Sequence, residues 1–285
     1  LANAMKYDLH SHTIFSDGEF SPEALINEAS KGGVEVLAVT DHDTLDGLPR
    51  ALKAAQEAGV DLVQGVEIST RWQKLDIHIL GLGVNTQDSS LVTGLALHQS
   101  ERITRAQQVS AKFEKLGIEG MWEEVSQQVN THYVGRPDFA RVLIKRGLVK
   151  DFQGAFHKYL AAGKPAYVAT EWASIPEAVS WITSAGGVAI VAHPGRYKVS
   201  RTKLTKLLSC FKEAGGEGME VLYSSQPPSK TKDLAALSKQ FGLVASAGSD
   251  FHGYTYPGMR FGALGEMPSI CQPLWDSPLW QKCID

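Results

Sequence analysis

The sequence predicts an α/β fold whose parallel strands close, or nearly close, into a barrel with a helical insertion. Three observations predict it. Short β-rich runs alternate with helical patterns, tight glycine turns join them, and there are seven such runs, more than a small open sheet needs. In order, the runs are Lys6–His10, Val34–Thr40, Val60–Ile68, Leu75–Val84, Val188–Ala192, Met219–Leu222 and Leu243–Ala247. Between them, Ser21–Lys31 opens on a Ser-Pro pair suited to an N-cap and a first helical position. Leu48–Ala58 and Ile175–Ala185 are further helices, the latter ending at Gly186-Gly187. The alternation stops near Ser100. Four helical patterns follow, Ser100–Leu116, Gly120–Val129, Pro137–Arg146 and Asp151–Leu160, with turn signals at Gly117, Gly135 and Gly147. The expected organisation is therefore a barrel over 5–99 and 163–285 and a helical cap over 100–162. Leu1–Ala4, ahead of Met5, reads as a leader or cloning scar outside the fold.

Composition sets the class. With 285 residues, 43% apolar, 21% charged and a net charge of −3, the chain is globular, long enough for one large or two ordinary domains, and far from the disordered class. No apolar run approaches the roughly 20 residues of a membrane span, and no secretory pattern opens the chain, so a cytoplasmic protein is expected. Cys210, Cys271 and Cys283 are odd in number and lack metal-type spacing. Cys210 is expected in the core of its helix and the other two in an irregular tail. The mildly acidic balance argues against a broad grip on duplex DNA.

The histidines carry the functional signal. Six of the nine, His10, His12, His42, His78, His193 and His252, fall at or just beyond the C-terminal ends of expected strands. Asp17, Asp41, Asp43, Glu67 and Asp250 occupy equivalent places. In a parallel barrel those ends meet at one mouth, so residues scattered along the chain converge in one pocket. His-x-His in an extended segment offers two imidazoles to one ion, and imidazole with carboxylate, without thiolate, favours zinc, manganese or iron. A carboxylate such as Glu67 can bridge two ions. Asp43 either orients a ligating imidazole or caps the next helix. His98, His132 and His157 fall in or beside the helical stretch and are expected in solvent or in packing. Arg102, Arg105, Lys112 and Lys115 are expected on a solvated helix face.

Five ordered motifs, DLHSHTIFSDG (8–18), TDHDT (40–44), GVEIS (65–69), AHPGRY (192–197) and GSDFH (248–252), together resemble the PHP family, the polymerase and histidinol phosphatase superfamily. The resemblance implies a distorted (β/α)7 barrel with a site for two or three divalent metal ions that hydrolyses phosphoesters. Carried over by motif, His10, His12, Glu67 and Asp250 look like ligands of one metal. Glu67, His78 and His193 look like those of a second, and Asp17, His42 and His252 like a third set. Many family members have a histidine where Asp17 stands. The strings YVGRPDFARVL (133–143) and KYLAAGKPAYV (158–168), with HPGRY, look like the subgroup of nucleoside 3′,5′-bisphosphate phosphatases and RNase AM-like enzymes that trim RNA from its 5′ end. Asp138 departs from the histidine or other polar residue of some relatives.

What this implies chemically is attack by a metal-activated water, supported by Glu67 and Asp43, with no protein nucleophile and manganese as the leading metal. Arg136, Lys164 and Arg196 are then candidates for the second phosphate, and Tyr197 and Tyr167 for a hydroxyl contact or a stacking face. The expected substrate is a nucleotide or an RNA 5′ end. A phosphatase of another small monoester, such as histidinol phosphate, and a non-catalytic PHP interaction module are the alternatives. The latter would have lost metal ligands, and none is missing here.

Overall fold

Seven strands lie side by side in the order of the chain. A computed structural model describes residues 6–128, 133–255 and 258–284, so the expected leader at Leu1–Ala4 and the background histidine His132 lie outside the described residues. Strand β1 (Tyr7–Asp8), helix α1 (Pro22–Lys31), β2 (Val36–Val39), α2 (Leu48–Ala58) and β3 (Asp61–Trp72) form the first parallel βα units. After β4 (Leu75–Leu82), four helices interrupt the sheet: α3 (Ser89–Lys115), α4 (Met121–Gln128), α5 (Arg136–Lys145) and α6 (Phe152–Ala155), the last continuing as a π-helical turn over Phe156–Leu160. Then α7 (Ile175–Ser184), β5 (Val188–Val191), α8 (Arg201–Glu213), β6 (Gly218–Tyr223), α9 (Pro228–Phe241) and β7 (Val244–Gly248) complete the main domain, and α10 (Gln281–Ile284) ends the tail. The first and last strands meet: Leu9 N donates to Ala247 O at 2.9 Å and Asp250 N to His10 O at 2.9 Å. The sheet is thereby a nearly closed barrel.

One strand departs from the expected parallel barrel. β4 is antiparallel to both β3 and β5. Only Gln73 and Lys74 separate β3 from β4, too few for the crossover that a parallel pair requires. Gln73 takes a left-handed φ of 56° in this turn. Because β4 runs backwards, its first half lies at the mouth where the other strands end.

The packing explains the remaining elements. The barrel interior is apolar, with Leu9, Val36, Val63, Leu80, Leu82, Val188 and Ile190 in one buried cluster that the tail extends through Leu274 and Cys283. α7, α8 and α9 bury their apolar faces against β3 to β7, while α1 and α2 pack on β2. The inserted helices have an apolar cluster of their own around Val109, Phe113, Phe139, Val142 and Leu143. α3 serves both bodies, placing Leu91 and Leu95 against the barrel and Ala106, Val109 and Phe113 in the insertion. Its start therefore moves from the expected Ser100 to Ser89, where the Asp88 carboxylate accepts from Leu91 N at 3.0 Å as an N-cap. Position 100 is the middle of a continuous helix rather than a boundary. Cys210 is half-buried on α8, beside the core rather than in it. Among the described residues no helix is long and apolar enough to cross a membrane.

The docking of α3 on α7 rests on Gly94, where a Cβ would come within 2.5 Å of the Trp181 indole. Gly94→Leu should lower unfolding stability by about 1–3 kcal/mol through overpacking. Thr93→Leu, at the adjacent exposed position, should leave the urea midpoint unchanged.

Candidate metal centre and its two clefts

β1, β2 and β7 deliver their residues through the loops that follow them, whereas β3 and β4 deliver theirs from within the strands. Glu67 lies on β3, which continues past the mouth, and His78 on the near half of β4. Glu67 is fully buried. Its Oε2 lies 3.2 Å from His10 Nε2, 3.2 Å from His12 Nε2 and 3.1 Å from His42 Nδ1. Its Oε1 lies 2.9 Å from His78 Nδ1 and 3.1 Å from His193 Nε2. Asp250 Oδ1 approaches His10 and His12 at 3.2 and 3.1 Å, and Asp17 Oδ1 lies 3.1 Å from His252 Nε2. Three overlapping groups present donor atoms within 4.8 Å of one another: His12, Asp17, His42 and His252; His10, His12, Glu67 and Asp250; and His42, Glu67 and His78. His193 stands beside these groups, in contact with Glu67.

The electrostatics of this cluster ask for cations. Burial alone would raise Glu67, but His42, His10 and His78 hold its carboxyl well below the usual range. Asp250 is likewise held down against burial by His10, His252 and Arg196. Burial pushes His42 down to about 3, which leaves a neutral imidazole at neutral pH. Although Glu67 Oε2 faces three imidazole nitrogens, it makes no hydrogen bond and is buried, and His42 Nδ1 and His193 Nδ1 are in the same condition. Convergent buried lone pairs on imidazoles and carboxylates, with no thiolate among them, suit divalent metal ions.

A second layer holds the donors in place. Glu220 Oε1 lies 2.8 Å from His10 Nδ1, and its other oxygen accepts from His193 N. Asp41 accepts from Thr13 N at 2.7 Å and from Ser16 Oγ at 2.7 Å, fixing the loop after β1. Asp43 clamps β3 at the site: its N–H donates to Glu67 O at 3.0 Å and its carboxylate accepts from Ser69 N at 2.8 Å. That carboxylate also accepts from His98 Nδ1 at 2.9 Å and from Arg102 Nε at 2.9 Å, both on α3. His98 Nε2 accepts from Ala173 N, so its proton sits on Nδ1. Asp43, His193 and Asp250 all carry positive φ, at 52°, 31° and 55°. Such backbone costs about 1–3 kcal/mol per residue and persists where its surroundings over-determine it.

Among the described residues, two clefts open on the cluster, one on each side of Asp17, Pro137 and Phe156, which line both. The first, about 130 Å³, runs past His42 and His78 to Arg102, Arg105, Arg136 and Trp172. The second, about 380 Å³, runs past His252 and Asp250 to Phe152, Gln153 and Arg196.

A family model described as the PHP domain matches residues 8–221. The chain belongs to the PHP family. It is 40% identical over 269 residues to the 3′,5′-nucleoside bisphosphate phosphatase of Chromobacterium violaceum, covering 94% of both chains. It is 42% identical to a 5′-3′ exoribonuclease of Haemophilus influenzae, over 95% of this chain and 98% of that one. Among solved structures, an amidohydrolase from Chromobacterium violaceum with bound sulfate superposes with a TM-score of 0.92 at 39% identity, covering 97% of this chain and 96% of that one. A putative metal-dependent phosphoesterase from Bifidobacterium adolescentis gives 0.84 at 28% identity, covering 99% and 98%.

In this PHP chain the substrate residues expected from sequence are only partly brought to the mouth. Arg136 lines the first cleft, with Asp76 Oδ2 3.9 Å away. Arg196 lines the second but is ion-paired with Asp250. Tyr197 is half-buried, and its hydroxyl accepts from His78 N at 2.9 Å, which tethers β4 rather than facing a ligand. Lys164 sits in a turn outside both clefts, and Tyr167 lies against α3, where its carbonyl accepts from Lys112 Nζ. Asp43 neither orients a ligating imidazole nor caps α2, whose N-cap is Gly47. Arg102 and Arg105 are not on a solvated face: Arg102 is 5% exposed, and both line the first cleft because α3 lies across the mouth. Glu220 was hidden from sequence reasoning by the apolar run GMEVLY around it.

Arg102→Ala would leave the Asp43 carboxylate buried without its cation. It should cost about 3–5 kcal/mol of unfolding free energy, measured by urea titration. Asp43→Asn together with Arg102→Met should recover much of that loss.

Proposed function

We propose that this PHP chain removes the 3′-phosphate of nucleoside 3′,5′-bisphosphates and shortens 5′-phosphorylated RNA from its 5′ end. The observation that carries the reading is Arg105. Its Nε is buried without a hydrogen-bond partner in the first cleft, and burial with the neighbouring Arg136 and Arg102 guanidiniums pushes it down to about 10. A lone phosphoester needs only the cluster. A cationic cleft beside it calls for a second anionic group on the same substrate. The phosphatase and exoribonuclease relatives, matched over nearly their whole length, support the same substrate class.

Two or three divalent ions, manganese first with iron and zinc as alternatives, would be held by His10, His12, Asp17, His42, Glu67, His78, His193, Asp250 and His252. Bound there, such ions supply Lewis-acid neutralisation of phosphoryl oxygens and acidify a water. The chain's own residues do the rest. Arg105 and Arg136 grip the 5′-phosphate and so place the 3′-phosphate over the cluster. Asp43, braced by His98 and Arg102, holds the Glu67 backbone in register. Ser16 donates to Asp41 and Ser69 accepts from Arg102, so both serve the frame of the site, and water is the nucleophile in this reading. The water oxygen bonds to phosphorus, the bond from phosphorus to O3′ breaks, and O3′ leaves as a protonated hydroxyl. The three unpaired cysteines suit a reducing, cytoplasmic setting.

Turnover of adenosine 3′,5′-bisphosphate against histidinol phosphate, with manganese present, tests the reading, and a preference for histidinol phosphate overturns it. Glu67→Ala should abolish turnover and lower the metal content of the purified protein while the far-UV spectrum stays unchanged. Arg105→Ala should raise KM for the bisphosphate about 10- to 100-fold, the worth of one charge-assisted contact, and spare para-nitrophenyl phosphate. An equal loss on both substrates would make Arg105 structural.

A further inference from the structure

We infer that the second cleft receives the nucleotide on the 3′ side of the scissile phosphate, so that the mouth is a two-ended channel for single-stranded RNA. This rests on the substrate reading above and goes beyond it. A nucleoside bisphosphate occupies only one side of the cluster, because its 3′-phosphate ends in free oxygens. In RNA one of those oxygens is O5′ of the next nucleotide, and the chain must continue away from the first nucleoside. The first cleft cannot take that continuation as well as the 5′-phosphate: it is the smaller of the two and is walled by Arg102, Arg105, Arg136 and Trp172. The second begins on the far side of Asp17, Pro137 and Phe156 and passes directly over His252 and Asp250.

The lining of the second cleft differs as the roles require. Its guanidinium, Arg196, is bound to Asp250 and so is not poised for a dianionic terminus. It offers instead the half-buried rings of Phe152 and Phe156, presented by α6 and the π-helical turn, and the exposed amide side chain of Gln153. The Arg141 guanidinium lies 5.9 Å from the Phe152 ring centroid, and Arg141 also donates to Asp17 O at 2.7 Å, which ties this wall to the cluster. Flat aromatic faces stack any base and read none, which suits an enzyme that advances along unrelated sequences. In the diester reaction the water oxygen bonds to phosphorus and the bond to O3′ of the first nucleotide breaks. That nucleotide leaves through the first cleft as a 5′-monophosphate with a 3′-hydroxyl. The remainder keeps the phosphate on its new 5′ end and is ready to advance.

The experiment compares kcat/KM for a 5′-phosphorylated trinucleotide with that for adenosine 3′,5′-bisphosphate in the manganese-loaded protein and in variants of the second cleft. Phe152→Ala should lower the ratio of RNA to bisphosphate turnover about ten-fold through lost stacking. Phe152 also packs on the insertion's core, so Gln153 provides a surface test that does not depend on folding. Gln153→Glu should raise KM for the trinucleotide several-fold and Gln153→Lys should lower it, both with the bisphosphate KM unchanged and with a steeper salt dependence for RNA in the lysine variant. Equal effects on both substrates, or no effect of any variant on the RNA, would overturn the channel while leaving the bisphosphate reading intact. A wild-type protein that hydrolyses the bisphosphate but not the trinucleotide would overturn the channel together with the RNA half of the substrate reading, and leave only the bisphosphate half. A protein inactive on the bisphosphate and on RNA would overturn the underlying substrate reading first.

Discussion

Glu67 is fully buried with nitrogens of five imidazoles within 3.2 Å of its oxygens. A carboxylate taken out of water is costly unless opposite charge or hydrogen bonds meet it. So many basic donors around one acid are tolerable only if protons or metal ions share the space between them. The rest of the mouth is arranged around that constraint. Glu220 orients His10, Asp41 ties the first loop, and Asp43 pins the β3 backbone on both sides of Ile68, at the Glu67 carbonyl and the Ser69 amide.

The inserted helices complete this arrangement as well as covering it. His98 and Arg102 reach from α3 to Asp43, and Arg102 lies over the faces of Tyr133 and Trp172 at 4.3 and 4.9 Å. One guanidinium thus joins the insertion, the second layer of the metal cluster and the wall of the first cleft. Arg105, proposed to grip substrate, and the residues that brace the metal donors share a helix, so a change in one would be felt by the other.

The histidines and acids were legible because their chemistry is local. Each sits in a short motif at a strand end, and the barrel brings strand ends together whatever the details of packing. β4 was less legible because the hairpin preceding it turns at Gln73-Lys74 with no Asn-Gly or Asp-Gly to announce it. Its reversal changes where His78 comes from without changing where it arrives. Arg102 and Arg105 were misread for a different reason. On a helix rich in polar residues a buried arginine looks like a solvated one, and only the docking of α3 across the mouth distinguishes them. Tyr197 and Glu220 belong to the same class, since their partners lie far off in sequence and no local pattern records the contact.

The barrel is joined where Leu9 meets Ala247 and His10 meets Asp250. The same seam contributes donors from both ends of the chain, His10 and His12 on one side and Asp250 and His252 on the other. Ions held by these donors would act as a clasp on the weakness of a closed sheet, the gap where its first and last strands must find each other. Metal affinity would then include part of the free energy of closing that gap, because opening the seam takes His252 from one group of donors and Asp250 from another. Loading the centre and finishing the barrel would then be one cooperative event, with the last strand as much a part of the centre as the first.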